Sequence, residues 1–244
     1  MKQTLALIKR ELGSYFYSPV AYVFIIIFLI STVGTTFFLG NYFDANQADL
    51  EKFFIFHPWL FLFLIPAVGM GLWSEERNSG TIELLFTLPV SMMQAVFSKF
   101  IAAWIFIGVA LALTFPIVIT VWYLGAPDNG IILTSYIGSF LMAGAYLTIT
   151  CVTSALTRNQ VISFILSVII CFIMVLLGWG IFTNILSKAL PIWLVDIISS
   201  FSFTTHFESI KRGIIDSRDI IFFLSIIGGG LVVNSIILNA KKAS

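Results

Sequence analysis

Six apolar stretches, each long enough to cross a bilayer core as a helix of about 20 residues, dominate the sequence. They run Val20–Leu39, His57–Trp73, Phe100–Leu124, Ile132–Leu156, Val161–Phe182 and Ile220–Leu238. His57–Trp73 is the shortest and needs its interfacial ends to span. In lipid a helix closes all its own backbone hydrogen bonds, so each run is expected to be helical. The fold class expected is therefore an all-α integral membrane protein with six transmembrane helices, built as one domain over residues 1–244. Composition leaves a soluble fold little room: 59% of residues are apolar and only 10% charged, with a mean hydropathy of +1.03. The first run is too long for a signal-peptide core and lacks a cleavage site, so it is expected to stay as an anchor.

Charge placement sets the orientation. With the N-terminus in the cytoplasm, the inner segments 1–19, 74–99, 157–160 and 239–244 hold Lys2, Lys9, Arg10, Arg77, Lys99, Arg158, Lys241 and Lys242 against Glu11, Glu75, Glu76 and Glu83. The outer segments hold Lys52, Lys188, Lys211, Arg212 and Arg218 against eight acids. That asymmetry follows the positive-inside rule, and an even number of spans then puts both termini in the cytoplasm. A net charge of +1 gives no reason to expect a nucleic-acid partner. Cys151 and Cys171 fall inside apolar runs, where they read as small lipid-buried side chains; a disulfide or a metal pair is the other reading.

The six runs contain no Asp, Glu, Lys, Arg or central His. Carriers coupled to protons or sodium place ionisable groups at membrane depth, so that class is disfavoured, though ion sites made by backbone at broken helices stay open. Ser31, Thr32, Thr35, Thr36, Thr148, Thr150, Thr153 and Ser154 are the main polar groups, expected to bond carbonyls four residues back or on neighbouring helices, or else to line a route. Ser139-xxx-Ala143 suggests small-residue packing, and Gly228-Gly229-Gly230 close packing or a bend. No nucleophile–His–acid grouping, Walker A sequence or metal spacing is present. His57 and His206 read as ordinary interfacial residues. The chain is expected not to be an enzyme, with no catalytic, cofactor or metal residues of its own.

Three segments outside the spans carry pattern. In residues 1–19, Leu5, Ile8, Leu12 and Phe16 recur at helical spacing with Lys2, Lys9 and Glu11 elsewhere on the wheel. An amphipathic interfacial helix ending at Ser18-Pro19 fits; a basic stop signal is the alternative. Residues 183–219 are too apolar for a free loop. Ile185–Leu190 and Ile192–Ile198, split by Pro191, suit an outer hairpin of interfacial or re-entrant helices, with Asp216 and Asp219 at the N-terminus of the last span. Residues 74–91 carry a polar island, Ser74-Glu75-Glu76-Arg77-Asn78-Ser79-Gly80-Thr81-Ile82-Glu83-Leu84-Leu85. Arg77 to Gly80 reads as a turn, after which Gly80 or Thr81 caps a short helix with Glu83 in its first turn. Ile82, Leu85 and Phe86 share one face, and Pro89 ends it. Either this is an element that docks a soluble partner at the membrane surface, or it is a solvated connection between two hairpins.

The stretch Glu76-Arg77-Asn78-Ser79-Gly80-Thr81-Ile82-Glu83-Leu84-Leu85, followed by Leu88-Pro89-Val90-Ser91, resembles the E-x-x-x-G-T-x-E-x-L-L…x-P-x-S signature of ABC-2-type permease subunits. It follows the second of six spans, where that family carries its coupling helix. The N-terminal helix, the outer hairpin and Arg212-Gly213-Ile214-Ile215-Asp216 agree. The segment from Phe56-His57-Pro58-Trp59 to Pro66-Ala67-Val68 is similar to the gliding-motility-associated permease subgroup. The resemblance implies an exporter-type permease in a bacterial inner membrane, in contact with lipid. It implies a separate cytoplasmic ABC ATPase that holds ATP and Mg, and a second permease chain, identical or related. Glu75, Glu76, Arg77, Gly80, Thr81, Glu83, Leu85 and Phe86 would then form the ATPase-docking surface. A membrane scaffold or assembly factor that anchors a cytoplasmic protein without transporting anything is the reading from another class.

Overall fold

The structure, a computed structural model, describes residues 2–40, 42, 49–83 and 90–242, and these form helices joined by short breaks, with no strand among the described residues. Helix α1 (Lys2–Tyr17) precedes the first span, α2 (Pro19–Gly34), which runs on into a π-helical turn over Thr35–Leu39. After the short α3 (Glu51–Phe54), span two consists of α4 (His57–Gly69) and α5 (Gly71–Ser79). Span three is α6 (Met92–Ala112) and α7 (Pro116–Leu124), and span four is α8 (Asn129–Leu156). Then come α9 (Gln160–Leu176), α10 (Gly180–Ala189), α11 (Ile192–Ser199), α12 (Phe203–Lys211) and the last span, α13 (Ser217–Lys242). Five of these helical runs are long and apolar enough to cross a membrane, and the bent pair α9–α10 makes up to six.

Local sequence explains most boundaries. Ser18 caps α2 with Pro19 in its first turn, Asp128 caps α8 and Asn159 caps α9. Ser91 and Gln94 form a reciprocal capping box at the start of α6. Helix α8 is the core around which α4, α5, α6, α9, α12 and α13 pack. Its glycines make that possible. A Cβ on Gly144 would lie 2.8 Å from Ile227 and 2.9 Å from the Trp104 ring. On the facing span, Gly230 abuts Thr148 so closely that no side chain fits, whereas Gly228 and Gly229 face open space. The Gly-rich run is thus one close-packing position. Thr32, Thr35, Thr36, Thr148 and Thr150 donate to carbonyls three or four residues back on their own helices. Both cysteines are buried free thiols.

Several expectations need correction. Arg77 to Ser79 are not a turn but the last residues of α5; only Gly80, at φ 74, leaves the helix in the left-handed region. Lys99 is not in a loop, because α6 begins at Met92 and places it in its third turn. Span five does not continue to Phe182: it stops at Leu176 and the chain turns by 71° into α10. At the bend, hydroxyls of Ser202, Thr204 and Thr205 occupy the space a Cβ on Gly178 would need. The chain breaks at Pro191, between α10 and α11, and α12 follows as an additional helix. His57 is buried among Phe53, Phe54 and Phe61. His206 is a structural clamp: Nδ1 meets Asp219 Oδ1 at 2.6 Å, Nε2 meets the Ser200 carbonyl at 2.8 Å, and the ring stacks on Phe222. Asp219 therefore serves α12, while Asp216 does the capping by accepting the Arg218 amide at 2.9 Å.

The α4–α8 crossing gives a direct test of close packing. A Cβ on Gly69 would come within 2.7 Å of Thr150 Cγ2 and 3.0 Å of Leu147 Cδ1. Thr150 has no easy escape, since it is β-branched and its hydroxyl is bonded to the Tyr146 carbonyl at 3.0 Å. Gly69→Ala is expected to destabilise the chain by about 1–3 kcal/mol through overpacking. Gly228→Ala, which meets nothing, is expected to be neutral or slightly stabilising. Denaturant titration of both variants in bicelles checks the pair, and equal stability would disprove the tight crossing.

Candidate functional site at the polar end of span two

Helix α1, the end of α5, the start of α6, the end of α8 and the end of α13 gather at one end of the bundle. What brings them together is the polar island itself. Glu76 Oε1 lies 2.8 Å from Lys99 Nζ, and Lys99 Nζ lies 3.1 Å from Glu11 Oε2 on α1. Lys99 is almost out of water, with 8% of its side chain exposed, and sits over the Trp73 ring at 5.4 Å. One ammonium thus joins α1, α5 and α6. Aromatic packing secures the same contact, because Tyr15 stacks on Phe106 at 5.0 Å and Phe16 meets its edge at 5.8 Å.

On another side of α5, Arg77 donates to the Ala155 and Thr157 carbonyls at 2.7 and 3.2 Å. Lys241 of α13 donates to Ala155 and Leu156 at 2.9 and 3.0 Å. Two cations therefore cap the C-terminal carbonyls of α8, where unpaired acceptors and the helix dipole favour positive charge. Between α1 and α5 lies a cleft of about 440 Å³ lined by Glu11, Ser14, Gly71, Glu75, Thr81 and Lys99, among others.

The residues expected to form a docking surface fall into three groups. Glu76 and Arg77 are committed to partners within the chain. Glu75, Thr81 and Glu83 are exposed, and Gly80 carries the positive φ that turns the chain away from α5. Ile82 packs partly against the core, as its apolar face requires. Leu85 and Phe86 lie outside the described residues. The Lys99–Glu11 pair was missed because both residues read as topogenic charges, and nothing in their spacing relates positions so far apart.

The same pair has a pH signature. Burial alone would raise the Glu11 carboxyl, but Lys99 and Arg10 beside it outweigh that and hold it below its usual 4.5. A lowered folded-state value means the contribution is present above about 4.5 and is lost as the pH falls through the folded value. Amide exchange in α1, measured in nanodiscs, is expected to be slow at neutral pH and to quicken under acid in that window. Glu11→Gln should remove this dependence; an unchanged acid transition would show that Glu11 does not tether α1.

Taken together, the fold defines an α-helical multi-pass membrane protein in which the polar island is tied into one end of the bundle. A family model described as ABC-2 family transporter protein matches residues 9–178, from α1 to the break after α9 and more than two thirds of the chain. The chain belongs to this family and is a permease component of an ABC transporter. Such components are membrane parts, generally non-catalytic, and the family as a whole works with ABC ATPases. No curated protein matches the chain.

Proposed function

We propose that the chain, as one transmembrane domain over residues 1–244, is the non-catalytic permease subunit of an exporter driven by a separate cytoplasmic ATPase. ATP and Mg belong to that partner. Residues 74–91, the end of α5 and the chain past Gly80, form the docking segment, with a coupling helix after Gly80, and both termini lie on the same cytoplasmic side of a bacterial inner membrane. Two permease chains, identical or related, enclose the pathway against lipid. The nearest subgroup by resemblance is the gliding-motility-associated one. The observation that carries this reading is the division within the polar island. Glu76 and Arg77 lock α5 into the bundle, while Glu75 on the same helix and Thr81 and Glu83 just past its end stay exposed. A fixed rod ending in unpaired surface charge suits the transmission of a push from a soluble partner better than it suits a slack connection.

Co-expression with the ATPase and reconstitution into vesicles tests it. The ATPase is expected to co-purify with the chain, and its turnover to rise several-fold when the chain is present. Binding without any change in turnover would instead favour the scaffold reading.

A further inference from the structure

Span two is broken at Met70, between the end of α4 at Gly69 and the start of α5 at Gly71. Pro66, four residues before the break, lacks an N–H and so leaves the Leu62 carbonyl without its helical donor, while the Met70 amide still bonds to the Pro66 carbonyl at 2.9 Å. A break at membrane depth needs its freed backbone groups satisfied by something other than water. One side chain of another span supplies that. Ser154 of α8, fully buried, donates its hydroxyl to the Met70 carbonyl at 2.8 Å and accepts the Trp73 and Ser74 amides, each at 3.0 Å. Those three bonds use the hydroxyl's donor and both lone pairs. Ser74 adds its own hydroxyl to Met70 O at 2.6 Å.

The break does not simply bend a helix; it ties the second half of span two to span four. Helix α5 is held to α8 at its start by Ser154 and near its end by Arg77, which grips the Ala155 and Thr157 carbonyls one to three residues beyond Ser154. We infer that Ser154 is the pin of a hinge in span two, a positioning residue through which displacement of α5 is passed to α8. Helix α4 meets α8 at Gly69, immediately before the break, and that close crossing supplies the fixed side of the hinge. Lys241 on the same α8 carbonyls extends the linkage to the last span. This inference rests on the reading that the loop after α5 receives the ATPase, and it says how the received motion enters the bundle.

The test compares Ser154→Ala with Ser154→Cys. Cysteine keeps the volume but offers only a weak donor and a weak acceptor, so it separates packing from hydrogen bonding. In the reconstituted permease–ATPase complex, both variants are expected to bind the ATPase as the wild type does. Both should lose stimulation of turnover by about tenfold with the KM for ATP unchanged, the size of effect that loss of one or two net hydrogen bonds gives. A second measurement needs no partner: amide exchange at Trp73 and Ser74 in the permease alone should rise by about tenfold in both variants. Wild-type exchange in both variants overturns the hinge, and so does full activity of Ser154→Cys, which would make Ser154 a packing residue. If the wild-type chain does not bind the ATPase at all, the proposed function fails instead, and the exchange measurement still decides the hinge.

Discussion

Replacing Lys99 with methionine is expected to lower the stability of the chain by about 2–4 kcal/mol. Removing one member of a buried charge pair typically costs about 3–5 kcal/mol, because the other charge is left uncompensated in a medium of low dielectric. Here Glu76 loses its ion-pair partner and Glu11 is left with Arg10 alone. Glu11 and Glu76 retain 16% and 25% side-chain exposure, so water relieves part of the loss and the expected value is discounted accordingly. Methionine keeps most of the volume and the contact with Trp73, which confines the change to charge. The decisive control is the triple variant Lys99→Met, Glu11→Gln, Glu76→Gln. If the cost comes from stranded carboxylates, neutralising them should restore more than half of it, as replacement of whole buried ion pairs often does. Denaturant titration in bicelles reads both. A single variant within about 0.5 kcal/mol of wild type would show that the ammonium is solvated and that α1, α5 and α6 are held by apolar packing alone.

That triad also marks where sequence reasoning stopped. Spans one, four and six were legible because lipid forces a long apolar run to be helical whatever its neighbours do. The breaks were not, because each depends on a distant partner. Met70 is a break that Ser154 completes from 84 residues away, and Gly178 lies at a bend where hydroxyls of Ser202, Thr204 and Thr205 leave no room for a side chain. The polar island looked like a loop because Glu, Arg, Asn and Ser end most spans. Its first half, through Ser79, stays helical because Glu76 and Arg77 find Lys99 and the α8 carbonyls, which offset the cost of holding charge near the membrane. Ser154 was flagged as a polar group of span four, but no local pattern distinguishes it from Thr150, which bonds only within its own helix. The sequence marked residues 74–91 as a polar loop after span two, and it gave no sign that the span continues to Ser79 or that Glu76 and Arg77 point into the bundle.

Charge reversal at Glu83 is the change expected to affect function most. The residue is exposed, and its backbone amide bonds to the Gly80 carbonyl at 3.3 Å, so its position follows from the turn that ends α5. A surface substitution of this kind is expected to alter folding by no more than about 0.5 kcal/mol, so Glu83→Arg should insert and express as the wild type does. Its effect should appear only on association. Losing one partner of a charge pair that becomes desolvated in an interface costs about 2–5 kcal/mol, roughly 30-fold to several thousandfold in affinity. Reversing the sign adds repulsion to that loss. Glu75→Arg, one helical face away and equally exposed, should weaken binding less if Glu83 sits at the centre of the contact and Glu75 at its rim, where screening by water and salt keeps charges weak. Asp196→Arg on α11 is the control, because it is exposed but lies on a different element, away from the polar island. Titration of the ATPase onto vesicle-embedded permease should give normal binding for Asp196→Arg and a loss of at least about 30-fold for Glu83→Arg, with stimulated turnover falling in parallel. Wild-type binding and turnover in Glu83→Arg would mean that the loop after span two does not hold the ATPase, whatever else the polar end of the bundle does.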